Sequence, residues 1–326
     1  MTIADNVKHS KEKHAVHKNS QPLEIATLKL SNESEPSCRF LLTSDDDSSL
    51  LFVDSANNAL KKVNLENKFV EVIYRCDSPD ILQLQAAIFV EFASKQKALL
   101  VTEMLSDSAH NLMSHSLSVA HFDANTNKWT CKQRVPLENT TCKFNPKLTF
   151  SIGAVQTNKV LCGVSKNSTL EVLAIDATGT ARCLQPIRLD FEHFCFTTGR
   201  WQDIELIIIK HAQWPKVRLL EVVDGESLGV QELCVIEINT SRLLWSAGLL
   251  FTTSKNIETD THEVSLFQVS NGGRCYKSFG TFIAHSKNLK INCWSAVGEK
   301  IAICDKKSKT IFIFEFKNFF KSFIAK

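Results

Sequence analysis

The sequence lacks the segments that anchor a protein in a membrane or direct it to secretion. No run of 18 or more apolar residues occurs, so we expect no membrane-spanning helix. The first twenty residues are polar and rich in lysine and histidine, unlike the apolar stretch of a secretory signal. We therefore expect residues 1–20 to form a disordered tail and the protein to be cytoplasmic or nuclear.

Cysteine spacing excludes two further classes. The eleven cysteines are odd in number, and no two of them form a Cys-x-x-Cys pair. A disulfide-stapled secreted fold uses an even set, and a structural zinc site uses closely spaced pairs. We therefore expect free thiols in a reducing compartment and no cysteine-bound zinc. No motif in the sequence indicates a metal site, a cofactor or a small-molecule substrate, so we assign none.

Long helical patterns and a strong net charge are also missing. A parallel α/β enzyme fold needs helices of ten or more residues between its strands, and the chain has almost no room for them. The net charge of +3 over 326 residues is too small to indicate nucleic-acid binding by itself. The chain does contain many short segments rich in Val, Ile, Leu, Phe and Thr, which predict an all-β fold.

Polar hairpin turns recur about every 50 residues between these segments. Asn-Gly and Asp-Gly pairs suit such turns because both central residues of a tight hairpin adopt positive φ. A second hairpin recurs where 52–63, 162–173 and 303–314 align without gaps. Two hairpins per unit make a four-stranded antiparallel sheet, which is one blade of a β-propeller. The predicted turns are 65–68, 123–128, 176–180, 224–227 and 271–273.

These units predict a six-bladed propeller over residues 21–316. The last unit contains only three strands, and the segment 22–30 at the other end of the sequence is an unassigned strand. Pairing the two would close the ring and remove exposed sheet edges. The blades are predicted at 38–76, 84–137, 148–190, 192–236, 241–284 and 289–316.

The C-terminal segment 317–326 is predicted to form a short amphipathic helix. Its apolar residues repeat at helical spacing, with lysines elsewhere on the wheel. We expect this helix to pack under the ring, with docking to a partner or a membrane surface as the alternative. The apolar positions are Phe316, Phe319, Phe320, Phe323 and Ile324.

Two kinds of short stretch resemble known repeat families. Residues 54–65, DSANNALKKVNL, are similar to the second hairpin of an NHL-type repeat. Residues 122–129, FDANTNKW, and 175–182, IDATGTAR, resemble the end of the third strand in WD-type repeats. The resemblance implies a β-propeller, although the Gly-His and Trp-Asp dipeptides of WD repeats are absent. It implies no particular binding residues.

Catalytic motifs are scarce. Residues 225–229, GESLG, fit the nucleophile elbow of α/β-hydrolases, with Asp260 and His285 following in the required order. No glycine-rich oxyanion loop precedes this motif. Asp224-Gly225 lies where the regular spacing of hairpin turns places one, so a plain turn is favoured. We assign no catalytic residue. A metal-dependent propeller hydrolase remains a further alternative, and the acidic run 45–47 is interpreted as a solvated turn.

The loops between the second and third strands of each blade should share one face. Their charges are mixed in sign, which favours a protein partner and predicts a non-enzymatic scaffold or adaptor within a larger complex. An RNA-binding propeller that uses the lysine-rich loops is the alternative. The loop KHAQWPK, 210–216, combines an aromatic anchor with positive charge, although Trp214 could equally fold back onto its own blade. The candidate partner-binding residues are Lys210, His211, Trp214, Lys216, Lys306, Lys307 and Lys309.

Overall fold

The computed structural model is built from β-strands throughout the part of the chain that it describes. No helix occurs within those residues. The predicted tail 1–20 and the predicted helix 317–326 both lie outside them. The described residues are 23–29, 40–42, 49–54, 57–64, 66–67, 69–91, 97–107, 112–143, 150–156, 158–176, 178–223, 228–246, 248–256, 261–270, 275–282, 291–297, 300–305, 308 and 310–315.

Twenty-four strands follow one another along these residues. The first half consists of β1 (Leu23–Lys29), β2 (Phe40–Leu42), β3 (Ser49–Asp54), β4 (Ala59–Asn64), β5 (Val70–Arg75), β6 (Ile81–Glu91), β7 (Lys97–Asp107), β8 (Leu112–Asp123), β9 (Lys128–Lys143), β10 (Phe150–Val155), β11 (Lys159–Val164) and β12 (Asn167–Ile175). The second half consists of β13 (Ala181–Cys183), β14 (Ile187–Trp201), β15 (Ile204–His211), β16 (Lys216–Val223), β17 (Gly229–Glu237), β18 (Arg242–Ser246), β19 (Leu249–Asn256), β20 (Thr261–Ser270), β21 (Cys275–Phe282), β22 (Ile291–Val297), β23 (Lys300–Asp305) and β24 (Thr310–Glu315).

The strands pair with their sequence neighbours in antiparallel sheets. We number the strand groups I (β2–β5), II (β6–β9), III (β10–β13), IV (β14–β17), V (β18–β21) and VI (β22–β24 with β1). Groups I, II, V and VI are separate four-stranded sheets, whereas III and IV join into one larger sheet. The first strand of each group contacts the first strand of the next, and β22 of group VI contacts β2 of group I.

Strand β14 explains why groups III and IV are joined. Its first residues pair with β12, where Leu170 faces Ile187, and so continue the outer edge of group III. After a register shift between His193 and Cys195, the same strand pairs with β15 as the first strand of group IV. One continuous strand therefore ends one group and begins the next.

Strand β1 pairs with β24 in group VI. Its antiparallel register runs from Leu23 opposite Glu315 to Lys29 opposite Thr310. The sequence predicts this pairing, and the structure contains it. The chain segment nearest the N-terminus thus completes a sheet whose other three strands come from residues 291–315.

The apolar cores lie between neighbouring groups. Strand β15 shows the cause, because Leu206, Ile207, Ile208 and Ile209 are all fully buried although they alternate between the two faces of the sheet. Ile207 and Ile209 pack toward group III, and Leu206 and Ile208 pack toward group V. A strand in a sheet that is covered on both faces has a continuous run of apolar residues rather than an alternating pattern.

Two of the described hairpin turns each contain one residue at positive φ, not the two that a tight two-residue hairpin requires. Asn127 closes the β8–β9 turn at φ 55°, and Gly179 adopts φ 79° in the turn that begins at Asp176. The Asp176 Oδ1 atom accepts hydrogen bonds from the backbone N–H groups of Thr178 and Thr180, both at 2.9 Å. Side-chain acceptors of this kind stabilise the turn locally. The predicted turns at 224–227 and 271–273 lie outside the described residues.

Candidate functional site

The predicted binding loop is a short connection at one end of group IV. Strand β15 ends at His211 and β16 begins at Lys216, so only 212–215 form the loop itself. Lys210, His211, Trp214 and Lys216 all belong to this described segment. Lys306, Lys307 and Lys309 lie outside the described residues, so their predicted contribution stays a prediction.

The His211 side chain holds the loop by accepting hydrogen bonds from its backbone. Its imidazole Nδ1 accepts hydrogen bonds from the backbone N–H of Gln213 at 3.2 Å and of Trp214 at 3.3 Å. The Ala212 N–H donates to the Glu192 carbonyl oxygen at 2.9 Å, which ties the loop to β14. Because Nδ1 must accept both bonds, the neutral imidazole carries its proton on Nε2.

A stack of side chains supports the His211 ring. The Phe191 ring lies parallel to it with the centroids 5.0 Å apart. The Arg218 guanidinium also lies over the Phe191 ring, 4.3 Å from its centroid. Arg218 Nη1 lies 3.1 Å from Asp190 Oδ1 and 3.3 Å from Glu232 Oε2, so two carboxylates fix the end of the stack. These contacts fix the His211 ring, which in turn holds the loop in one conformation.

Trp214 is largely exposed to solvent. Its indole is 57% exposed, although its edge meets the His211 ring at a centroid distance of 6.2 Å. Lys216 Nζ lies 5.8 Å from the indole centroid, within the range of a cation–π contact. Trp214 thus contacts the His211 ring and leaves most of its surface exposed, and its predicted role in binding a partner stays a prediction.

Burial and the neighbouring positive charges favour the neutral form of the His211 imidazole. Burial lowers the pKa of His211, and the positive charges of Arg218, Lys210 and Lys216 lower it further, while Asp190 acts in the opposite direction. A neutral ring is the form that can accept the two loop hydrogen bonds. Electrostatics and loop geometry therefore favour the same protonation state.

Phe191 and Arg218 support the loop but do not appear among the residues predicted from sequence. Phe191 lies 20 residues before His211, and only the continuous course of β14 brings it under the loop. One local signal was present: a histidine two and three residues before the loop amides can accept hydrogen bonds from them, as an asparagine does in a turn. No local sequence pattern predicts the stacking of Phe191 and Arg218 beside His211.

The GESLG motif occurs between two strands. Val223 ends β16 and pairs with Gly229 at the start of β17, and 224–227 lie outside the described residues. A nucleophile elbow requires a helix after the serine, whereas residues Gly229–Glu237 are a strand. Within the described residues, no three His, Cys, Asp or Glu side chains come together in a way that could hold a metal ion.

Structure comparison defines the fold class. No protein-family model matches the chain, and no curated protein sequence matches it. The β-propeller domain of Cps50 (Swd1) from Myceliophteria thermophila matches with a TM-score of 0.52 and 12% identity, over 90% of this chain and 99% of that one. The aldose sugar dehydrogenase from Streptomyces coelicolor, in its PQQ-bound form, matches with a TM-score of 0.55 and 8% identity, over 90% and 98%.

A protein of unknown function from Desulfotomaculum acetoxidans matches with a TM-score of 0.54 and 13% identity, over 85% of this chain and 82% of that one. At these identities the similarity shows the fold alone. The chain is an all-β protein with the fold of a divergent β-propeller and resembles no specific propeller family. Since the same fold carries a sugar dehydrogenase and a Swd1 domain, function must be argued from this chain's own residues.

None of the secondary-structure elements in the described ranges is a helix long and apolar enough to cross a bilayer.

Proposed function

We propose that this chain is a six-bladed propeller that acts as a non-enzymatic protein-interaction scaffold and binds a partner through the loop around Trp214. The six strand groups would be the six blades, with β1 as the closing strand of the last one. The contacts between successive first strands, returning from β22 to β2, support a closed ring of six. The pairing of β1 with β24 supports closure by the N-terminal strand.

The observation that carries the interaction role is the combination of exposure and rigidity at Trp214. An exposed tryptophan on a disordered loop would lose conformational entropy when it bound. Here His211 fixes the backbone of the loop, and Lys216 lies over the indole. Tryptophan is among the residues that most often dominate the energy of protein interfaces. A preorganised aromatic anchor beside positive charge fits this role better than it fits catalysis.

The mixed charge around the loop favours a protein over RNA. Asp190 and Glu232 lie beside Arg218, and their carboxylates would repel a continuous phosphate backbone. We propose a reducing compartment, cytoplasm or nucleus, as the location, because the seven cysteines whose side chains the structure describes are free thiols.

Affinity purification with a tagged protein tests the proposal. Trp214→Ala combined with Lys216→Glu should reduce recovery of the bound partner at least about tenfold, equivalent to roughly 1.4 kcal/mol or more. Phe69→Ala is the matched control, because Phe69 is an exposed aromatic residue, 64% accessible, in the β4–β5 turn.

The melting temperatures of both variants should stay within a few degrees of the parent. Recovery of every partner by the Trp214 variant with folding intact would contradict the proposal. Recovery of RNA that is lost steeply with added salt and depends on Lys216 would favour the RNA-binding alternative.

A further inference from the structure

Two hairpins in the described part of the chain are closed by a carboxylate at the same position. Asp54 ends β3, the second strand of group I, and its Oδ1 atom accepts a hydrogen bond from the backbone N–H of Asn57 at 3.3 Å. Asp305 ends β23, the second strand of group VI, and its Oδ2 atom accepts from the backbone N–H of Ser308 at 2.8 Å. In both hairpins the last residue of the second strand accepts from the N–H three positions ahead.

His211 occupies the same position in group IV. It ends β15, the second strand of that group, and its Nδ1 atom accepts from the N–H of Trp214, again three positions ahead, at 3.3 Å. The N–H of Gln213 donates to the same atom at 3.2 Å. An imidazole therefore has the role in group IV that a carboxylate has in groups I and VI. We call these two hydrogen bonds the His211 latch.

The two kinds of acceptor respond differently to acid. Burial acts to raise the pKa of Asp54, but hydrogen bonds from Lys61 and Asn57 outweigh it, so the pKa lies below its usual value. This carboxylate therefore stays charged at pH 5. The neutral imidazole of His211 accepts only through Nδ1, and a second proton would turn that atom into a donor facing the two loop N–H groups. Acid would thus remove the acceptor in group IV but not the one in group I.

The groups around the His211 ring oppose its protonation. Burial and three neighbouring cations lower the pKa of His211, and the carboxylate of Asp190 acts in the opposite direction. Asp190 and Glu232 are both paired with Arg218. His193 lies across the strand ladder, but burial lowers its pKa to about 4, so it carries little charge at pH 5. The charged and titratable groups on the surrounding elements are Asp190, Glu192 and His193 on β14, Lys210 on β15, Lys216 and Arg218 on β16, Glu232 and Glu237 on β17, and Lys166 in the adjoining turn of group III. The latched ring is therefore stable in its neutral form.

We propose that the His211 latch makes the Trp214 loop sensitive to pH: the neutral imidazole holds the loop, and protonation at mildly acidic pH releases it and weakens partner binding. A released loop has to be ordered again when the partner binds, which costs affinity. The effect on binding rests on the proposed function, whereas the latch itself does not.

Proton linkage gives the direction and the size of the effect. A released imidazole takes up a proton at the ordinary histidine pKa of about 6.5, whereas the latched imidazole does so only at lower pH. The latched loop therefore binds fewer protons, and its stability is lost as the pH falls below about 6.5. Between pH 7.5 and pH 5.0 the released loop gains up to about thirtyfold in its equilibrium with the latched one.

Amide hydrogen exchange of the full-length protein at pH 7.5 and pH 5.0 tests the latch. Each rate is divided by the intrinsic exchange rate at the same pH, and fragmentation resolves single amides. Protection at Gln213 and Trp214 should fall at least about threefold at pH 5.0. Protection at Asn57 in the same sample is the internal control and should not fall with them, because Asp54 keeps its charge.

His211→Asp is the matching variant, because its carboxylate can accept the loop N–H groups as Asp54 does and stays charged at pH 5.0. Protection at 213 and 214 should then be the same at both pH values. His211→Asn, whose amide oxygen accepts and does not titrate, should behave alike and serves if the first variant does not fold. A parent that keeps its protection at pH 5.0, or equal losses in the parent and the variants, would overturn the inference.

Partner recovery separates this inference from the proposed function. Tagged parent protein, loaded from cell extract at pH 7.5, should release its partner at least about threefold more in a pH 5.0 wash than in a pH 7.5 wash. His211→Asn should release similar amounts in both washes. Equal acid release from the parent and the variant would overturn regulation by the latch. Full recovery of every partner by Trp214→Ala at pH 7.5 would contradict the proposed function, and hydrogen exchange would still decide whether the latch exists.

Discussion

The imidazole of His211 accepts a hydrogen bond from the backbone N–H of Trp214 at 3.3 Å, so a buried ring fixes the position of an exposed one. The same Nδ1 atom also accepts from Gln213 at 3.2 Å. A side chain that can accept from the residues two and three positions ahead shapes a loop as an asparagine does in a turn. His211 is therefore a positioning residue for the loop 212–215.

Amide hydrogen exchange tests this role of His211. His211→Leu should speed exchange at Gln213 and Trp214 about tenfold, because both N–H groups lose their acceptor. His211→Asn should restore much of the protection, since its Oδ1 atom can accept in place of Nδ1. Mass spectrometry of peptides covering 210–218 provides the measurement. Equal exchange in the parent and in His211→Leu would show that the hydrogen bonds do not hold the loop.

Acid pH should weaken the fold through His193. This residue is fully buried, its Nδ1 donates to the Asn167 carbonyl oxygen, and its Nε2 has no partner among the described residues. Burial lowers the pKa of His193 from 6.5 to about 4. The folded state then binds fewer protons than the unfolded state, so stability present at neutral pH is lost as the pH falls below about 6.5.

Urea unfolding at pH 7 and pH 4.5 provides the measurement for His193. The parent should lose roughly 2 kcal/mol more free energy of unfolding over this range than His193→Gln does, since one pKa unit corresponds to about 1.4 kcal/mol. The comparison of the two pH dependences removes the contribution of other titrating groups. Parallel curves for the parent and the variant would contradict the account.

A buried carboxylate links groups I and II and should be costly to remove. Glu103 is fully buried and receives hydrogen bonds from the Tyr74 hydroxyl at 3.1 Å, the Ser116 hydroxyl at 3.2 Å and Arg134 Nε at 2.7 Å. Glu103→Ala leaves all three donors without this acceptor, so we expect a loss of about 2–4 kcal/mol in the free energy of unfolding.

The control for Glu103 is Glu91→Ala. Glu91 is 58% exposed and lies 3.9 Å from Lys97, and an exposed ion pair contributes little. Glu91→Ala should change the free energy of unfolding by about 0.5 kcal/mol or less. Equal effects of the two substitutions in denaturant titrations would mean that the Glu103 network does not connect the groups.

The local hairpins were predictable from sequence, and their assembly was only partly so. The segments 52–63, 162–173 and 303–314 are the hairpins β3–β4, β11–β12 and β23–β24, because alternating apolar residues and short polar turns are local signals. The second blade was predicted to end at 137, yet β9 continues to Lys143. Its last residues pair with the start of β8, a register that no local pattern specifies.

The site shows the same division between local and long-range information. Trp214 and its lysines were identifiable because aromatic and basic residues are unusual together in a polar loop. The contact of Phe191 with His211 joins residues 20 positions apart, and only the pairing of β14 with β15 within group IV brings them together. The Glu103–Arg134 pair of group II, 31 positions apart, depends on strand pairing in the same way. Sequence reasoning therefore located the loop but not the side chains that hold it.

Removal of the N-terminal strand tests how the last sheet is completed. Deletion of residues 1–18 should leave the melting temperature nearly unchanged, because it spares β1. Deletion of residues 1–31 removes β1 and exposes the edge of β24, whose residues Ile311 and Phe314 are buried, so unfolding or aggregation is expected. Equal melting of the two truncations in a thermal scan would contradict closure by this strand.

Photo-crosslinking in cells tests the central claim most directly, namely that the Trp214 loop is the surface that binds a partner. A benzophenone amino acid would replace Gln213 in the loop or, as the control, Asp203 in the turn at the opposite end of β15; both positions are exposed. We predict a discrete protein crosslink from position 213 that position 203 does not give and that Trp214→Ala removes. Crosslinks from position 203 alone, or the same crosslink with and without Trp214, would contradict the account.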